Sequence, residues 1–77
     1  MTQSQTQDLK APVQYGVLAE QYGEHLELQI LQSRAGFYLG TFSESGPYTR
    51  ESREYWNTKV KAQKAFDTGR WTQRTHL

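Results

Sequence analysis

Two alternating segments joined by a turn constrain the fold of this chain most. In His25–Gln32, apolar residues at every second position point to one side: Leu26, Leu28 and Ile30. This period of two is typical of a half-buried strand. Ser33–Gly36 forms a turn ending in glycine, which tolerates positive φ. Phe37–Ser43 is the return strand, with Phe37, Leu39 and Thr41 on one face. The sequence therefore predicts an antiparallel hairpin over residues 25–43.

A helix is predicted over Thr58–Thr68. Asn57 and Thr58 are both suitable N-cap residues, and Gly69 is suited to end the helix. The apolar side chains Ala62, Ala65 and Phe66 share one face, which we expect to pack on the sheet.

The remaining segments complete a small α+β fold. Val13–Glu20 is predicted as a short strand and Arg70–Arg74 as a closing strand with Trp71 inward. Tyr48–Trp56 reads either as a third strand or as the start of a helix, and strand is favoured. The expected fold is an antiparallel sheet of three to five strands with one helix, in the C-terminal half, packed on one face. The order is β(β)ββαβ, in a single domain over residues 12–77 that follows a flexible polar tail, residues 1–11.

Composition limits the class of protein. The chain has 77 residues, of which 35% are hydrophobic, and no cysteine. So small a domain needs an aromatic core, a partner or self-association. The aromatic content of 13% favours a compact aromatic core. We expect Trp71 and either Tyr55 or Trp56 to be mostly buried. A homodimer through a sheet edge or face is also predicted.

Neither a signal peptide nor a membrane span is recognisable, so a cytoplasmic protein without membrane contact is expected.

Catalytic motifs are also absent: the chain has no nucleophile elbow, phosphate-binding glycine loop or dinucleotide fingerprint. His25 and Glu27 share a predicted strand face, but two ligands do not make a metal site, and His76 lies in the tail. Glu51 and Glu54 lie among arginines and are interpreted as surface ion pairs. We therefore predict no catalytic residue, no metal and no cofactor.

Positive charge is concentrated in the second half of the chain. Residues 1–49 contain two basic and five acidic residues, a net −3, whereas residues 50–77 contain seven basic and three acidic residues, a net +4. Two lysines, Lys59 and Lys61, fall in the first helical turn, where the helix dipole disfavours cations. Basic residues interleaved with aromatic ones are typical of binding surfaces. The candidate partner-binding residues are Arg50, Arg53, Tyr55, Trp56, Lys59, Lys61 and Lys64.

The run GFYLGTFSESGPYTRESREYWNTKVKAQKAFDTGRWTQR resembles small uncharacterised proteins encoded by phages, plasmids and integrated elements of Proteobacteria. The resemblance covers residues 25–74. It implies a hairpin, an aromatic strand, a helix with alanines at the sheet face and a closing Gly-x-Trp. It also implies an accessory or inhibitory protein that binds host machinery.

Three function classes follow. The preferred hypothesis is a non-enzymatic protein-binding accessory or inhibitor module of a mobile element. The second is a nucleic-acid-binding protein that uses the basic aromatic face of residues 48–74, with affinity that falls steeply with salt. The third is a small enzyme, which a structure without a polar-lined cleft would exclude.

Overall fold

A computed structural model describes residues 13–77. Three strands form one sheet in the order β1-β2-β3, with a short helix before them and a longer helix after them. The elements are α1 (Val17–Gln21), β1 (Gln29–Ser33), β2 (Gly36–Ser43), β3 (Gly46–Arg50) and α2 (Lys59–Thr68). The predicted α+β class, with an antiparallel sheet and a helix in the C-terminal half, is confirmed.

The hairpin is confirmed, and a second one follows it. β1 and β2 pair antiparallel from Gln29↔Gly40 to Ser33↔Gly36. β2 and β3 pair antiparallel to the end at Ser43↔Gly46, with a register shift between Thr41 and Phe42. Gly36 has a φ of 133°, which residues with a Cβ rarely adopt. The strand reading of Tyr48–Trp56 holds for its first part, because β3 ends at Arg50.

The local signals of α2 acted as predicted. Thr58 is the N-cap, and its hydroxyl accepts a hydrogen bond from the backbone N–H of Lys61 at 3.1 Å. Gly69 ends the helix in the left-handed conformation, with a φ of 72°. Ala62 and Ala65 are buried, Phe66 is half-buried, and α2 contacts β1 and β2.

Two predicted strands are wrong. Within Val13–Glu20, Tyr15 makes one isolated bridge to Glu27, and the chain then turns into α1. Within Arg70–Arg74, the pairing is a single bridge between Ser52 and Gln73. Both segments make a few isolated backbone hydrogen bonds to the rest of the fold and do not form a continuous strand pairing. The predicted flexible tail, residues 1–11, lies outside the described residues.

Apolar and polar side chains share the core. Neither tryptophan is fully buried: Trp56 and Trp71 are both half-buried, and Tyr55 is 39% exposed. The buried apolar residues are Leu18, Ala19, Leu28, Tyr38, Leu39, Ala62 and Ala65. Four polar residues are buried with them: Thr41, Thr49, Glu51 and Ser52. A core with so few large apolar residues depends on how well its polar members are hydrogen-bonded.

No helix within residues 13–77 is long and apolar enough to cross a membrane.

The N-cap of α2 gives a direct test of the fold. Replacing Thr58 by Ala removes the acceptor for the Lys61 N–H, so we expect the free energy of unfolding to fall by about 1 kcal/mol. The control Thr58→Ser keeps the hydroxyl and should stay within about 0.5 kcal/mol of the wild type. Urea denaturation measures both, and equal stability of the two variants would contradict the cap.

Candidate functional site

Three arginines line one open cleft of about 460 Å³. Arg50 comes from the end of β3 and Arg53 from the segment after it. Arg74 comes from residues 70–77, which we call the closing segment. None of the three forms an ion pair with an acidic side chain within residues 13–77. We call this site the arginine cleft; it is lined by Arg50, Arg53, Gln73, Arg74, Thr75 and His76.

Aromatic rings hold Arg50 in position. Its guanidinium carbon lies 4.6 Å from the centre of the Tyr55 ring, a cation–π contact. The Tyr55 ring in turn meets the buried Tyr38 ring edge to face, at 5.8 Å between centroids. Burial raises the pKa of the Tyr38 phenol, Tyr55 raises it further, and the charge of Arg50 partly offsets both effects. The Arg50 guanidinium is therefore held against an aromatic ring and does not form an ion pair with a carboxylate of residues 13–77.

The buried carboxylate of Glu51 stands behind the cleft and has no exposed surface. Oε1 accepts from the Leu18 N–H at 3.0 Å and from Gln73 Nε2 at 2.7 Å. Oε2 accepts from the Ala19 N–H at 3.0 Å and from the Thr49 hydroxyl at 2.6 Å. Each oxygen thus accepts two hydrogen bonds, which uses the four lone-pair sites of a carboxylate.

These bonds determine the ionisation of Glu51. Burial by itself raises the pKa of the carboxyl, but the hydrogen bonds from Thr49, Leu18, Gln73 and Ala19 outweigh it and lower the pKa below its ordinary value of 4.5. An ionised carboxylate only accepts hydrogen bonds, so the Thr49 hydroxyl is the donor to it. The hydroxyl of Thr41, 2.6 Å from that of Thr49, must then donate to Thr49.

Glu51 also builds the wall of the arginine cleft. Its backbone carbonyl accepts from the Arg74 N–H at 2.7 Å, and its side chain accepts from Gln73. The Arg74 guanidinium donates to the carbonyl oxygen of Arg50 at 3.3 Å. The expected surface ion pair of Glu51 is therefore wrong, because this residue is a buried acceptor that fixes the closing segment beside β3.

Glu54 has a related role at the surface. Its two carboxylate oxygens accept from the Thr72 N–H at 2.9 and 3.1 Å. Burial raises the pKa of Glu54, but the bonds from Thr72 outweigh it and, with a contribution from the charge of Arg53, lower the pKa. No ion pair between Glu54 and an arginine is formed, so the predicted pairing is wrong here also.

A second basic hollow, of about 530 Å³, lies beside α2. Lys61 and Lys64 are three residues apart and share one side of the helix with Ala65 and Thr68. Trp56 contributes a half-buried aromatic side chain. We call this site the lysine groove; it is lined by Trp56, Lys61, Lys64, Ala65, Thr68 and Arg70. Among residues 13–77, no acidic residue lines the lysine groove.

The structure divides the seven candidate binding residues between these two sites. Arg50 and Arg53 line the arginine cleft, with Tyr55 against Arg50. Trp56, Lys61 and Lys64 line the lysine groove. Lys59 lines neither of them. The sequence prediction omitted five polar or charged residues that the closing segment contributes to the two sites: Arg70, Gln73, Arg74, Thr75 and His76. For Arg70 and Arg74, the signal in the sequence is the positive charge that follows Gly69.

The two histidines have different surroundings. His25 Nδ1 lies 2.6 Å from a carboxylate oxygen of Glu20, and its ring stacks on Tyr15 at 3.8 Å. Within residues 13–77, no three histidine or acidic side chains cluster as metal ligands. His76 lies in the arginine cleft, where Nδ1 is 3.1 Å from the Thr75 hydroxyl. No carboxylate of residues 13–77 is hydrogen-bonded to the His76 imidazole.

No protein-family model matches the chain, and comparisons with curated proteins and with solved structures found no match.

The hydrogen bonds of Glu51 predict how stability depends on pH. A folded-state pKa below the unfolded value of 4.5 adds stability above pH 4.5, and this stability is lost as the pH falls through the folded-state pKa. We expect Glu51→Gln to lower the free energy of unfolding at pH 7 by about 2–3 kcal/mol. The NH₂ group of glutamine cannot accept a hydrogen bond, so one backbone N–H that the carboxylate now binds would lose its acceptor.

Urea denaturation between pH 7 and 2.5 measures both effects. The Glu51→Gln curve should fall less steeply below pH 4.5 than the wild-type curve. Glu44→Gln, an exposed change in the β2–β3 turn, is the control and should follow the wild type. Parallel curves for Glu51→Gln and wild type would contradict the role of this carboxylate.

Gly16 is the position where α1 approaches the carboxylate. A Cβ there would lie 2.5 Å from the Thr41 methyl and 2.6 Å from Glu51 Oε2. Its φ of −73° suits any residue, so the restriction is one of space. We expect Gly16→Ala to cost about 1–3 kcal/mol of unfolding free energy.

A double-mutant cycle isolates the contact of Gly16. Thr41→Ser removes the methyl group and keeps the hydroxyl. The double variant should therefore lose less stability than the sum of the two single losses. Strictly additive losses in thermal or urea unfolding would show that Thr41 is not the obstacle.

Proposed function

We propose that this chain is a non-enzymatic binding protein whose ligand is single-stranded nucleic acid. One observation carries the proposal: the arginine cleft and the lysine groove together present six basic residues, and no carboxylate of residues 13–77 lines either site. These residues are Arg50, Arg53, Arg74, Lys61, Lys64 and Arg70. Cations that are not neutralised within the fold favour a polyanion as the ligand.

The aromatic residues favour single strands over duplex. Trp56 lines the lysine groove between basic residues, and Tyr55 is 39% exposed beside the arginine cleft. Stacking on such rings requires bases that are free of a partner strand. Arginine adds bidentate hydrogen bonding to phosphate, which lysine does not provide. The two sites thus combine the two contacts typical of sequence-tolerant single-strand binding.

A protein partner, the hypothesis preferred from the sequence, makes use of the same basic surface if the partner is acidic. The geometry favours nucleic acid because the cations gather in concave sites, whereas a protein interface typically has an apolar centre. A structure without a polar-lined cleft would exclude a small enzyme, but the arginine cleft is lined by polar residues, so this test does not exclude one. We retain a binding role because the cleft lacks an oriented nucleophile and base among the described residues.

The other proposals from the sequence concern the setting of the protein. They are a cytoplasmic location, an origin in a mobile element and a homodimer formed through a sheet edge or face. Each stays a prediction. Sedimentation at high concentration tests the dimer, and the neighbouring genes test the origin.

Fluorescence anisotropy with a labelled single strand of about twelve nucleotides tests the proposed ligand. We expect binding that weakens steeply between about 50 and 200 mM salt, and weaker binding of the matching duplex. The variant Lys61→Glu with Lys64→Glu should lose at least about tenfold in affinity. It should also flatten the slope of log K against log salt by about 1.4, since each phosphate contact with a single strand contributes about 0.7.

The matched control places the same change of charge outside both sites. Arg34→Glu with Lys59→Glu alters an exposed turn residue and the lysine that lines neither site. It should retain most of the affinity. Equal losses in both double variants would mean that only net charge matters. A salt-independent response, or binding of polyglutamate in place of the oligonucleotide, would contradict the nucleic-acid proposal and favour an acidic protein partner.

A further inference from the structure

We infer that the arginine cleft binds a terminal phosphate of the nucleic-acid strand, a phosphomonoester dianion. The inference rests on the proposed function and makes it more specific, because it assigns different tasks to the two basic sites. The lysine groove contacts the body of the strand through phosphodiesters and stacking. The arginine cleft binds the end of the strand.

The first support is that the guanidiniums are positioned without being neutralised. Arg50 is held over the Tyr55 ring, and its Nε is buried with no acceptor among residues 13–77. Arg74 donates one bond to a backbone carbonyl, that of Arg50. Arg53 is exposed. A ring face fixes Arg50 and a peptide oxygen fixes Arg74, and neither contact neutralises the guanidinium charge.

The second support is the backbone beneath them. Gln73 Nε2 is bonded to the carboxylate of Glu51, to the carbonyl of Glu51 and to the carbonyl of Arg74. The Arg74 N–H is bonded to the Glu51 carbonyl at 2.7 Å. The wall that carries Arg74 is therefore attached to the buried core. A site built in this way loses little conformational freedom when it binds.

The third support is charge. The three arginines line one cleft of about 460 Å³. A phosphodiester carries a single negative charge, whereas a phosphomonoester carries about 1.5 to 2 near neutral pH and offers three acceptor oxygens. Three guanidiniums on one cleft are matched better by the monoester.

The connection between the two sites is short. Tyr55, which supports Arg50, and Trp56, which lines the lysine groove, are consecutive residues. The closing segment likewise contributes Arg70 to the groove and Arg74 to the cleft. A strand whose end lies in the arginine cleft therefore has the groove as its nearest further basic surface.

The test compares four labelled oligonucleotides on the full chain by anisotropy. Three have the same sequence and carry a 5′-phosphate, a 3′-phosphate or two hydroxyl ends. The fourth has hydroxyl ends and one extra nucleotide, which adds a charge without a monoester. We expect one terminal-phosphate form to bind about tenfold more tightly than the hydroxyl form. The fourth strand should bind like the hydroxyl form.

Variants assign this preference to the cleft. Arg53→Gln removes an exposed guanidinium and should reduce the terminal-phosphate preference to near unity, while Arg53→Lys should restore part of it. Lys61→Gln, in the groove, should weaken binding of all four strands and leave the preference unchanged. Circular dichroism checks that each variant is folded.

The outcomes separate this inference from the proposed function. If the oligonucleotides bind but phosphate ends give no preference, or if Arg53→Gln preserves the preference, the terminal-phosphate site is wrong and the proposed function stands. If no oligonucleotide binds, both ideas are wrong for nucleic acid. Titration with inorganic phosphate, followed by NMR at constant ionic strength, then reports whether the cleft takes a phosphate dianion at all. The expected result is selective shifts at Arg53 and Gln73.

Discussion

The buried carboxylate of Glu51 is the interaction on which the rest of this structure depends. It replaces part of an apolar core with four charge-assisted hydrogen bonds, from two backbone N–H groups of α1, one hydroxyl of β3 and one amide of the closing segment. A buried charge without such donors is strongly destabilising. Because every acceptor site is used, losing any one of the three attached elements leaves the carboxylate under-bonded. The fold is thereby made cooperative although it has few large apolar side chains.

The same constraint explains why the basic surface has its particular shape. Arg50 precedes Glu51 in the chain, and Arg74 is bonded to the Glu51 backbone, so the residue that secures the core also brings two guanidiniums to one cleft. Like charges in proximity repel, and this cost is partly offset by the Tyr55 ring against Arg50, by a backbone oxygen at Arg74 and by the nearby charge of Glu54 at Arg53. A protein that only needed stability would gain from a carboxylate in the cleft. Within residues 13–77 no carboxylate lines the cleft, and the proposed anionic ligand would supply this negative charge.

Prediction from the sequence was right where local chemistry decides the structure. The hairpin over residues 25–43 follows from the alternation and the turn, and α2 follows from the Thr58 cap and Gly69. The prediction was wrong where a residue far away in the sequence determines the local structure. α1 starts where it does because Glu51, more than thirty residues away, accepts the N–H groups of Leu18 and Ala19. No local pattern in Val13–Glu20 contains that information, and without it the alternation suggested a strand.

The candidate site was only partly predictable for a similar reason. Lys61 and Lys64 are three residues apart, so helical spacing alone places them on one side of α2, and it turns Lys59 away from Lys64. Arg74, by contrast, reaches Arg50 through a bridge between Ser52 and Gln73 that a strand assignment for residues 70–74 did not locate. The pairing of Thr41 with Thr49 puts Glu51, two residues on, on the same buried face as Thr41. Counted from the turn between Ser43 and Gly46, Thr41 would pair with Tyr48 instead, and the register shift between Thr41 and Phe42 moves the pairing to Thr49. Arg50, one residue before Glu51, therefore lies on the other side of β3, whereas Ser52 follows the strand and is buried like Glu51. The position of the arginine cleft thus depends on the β2–β3 register, which this shift sets and which neither the turn nor residue composition predicts.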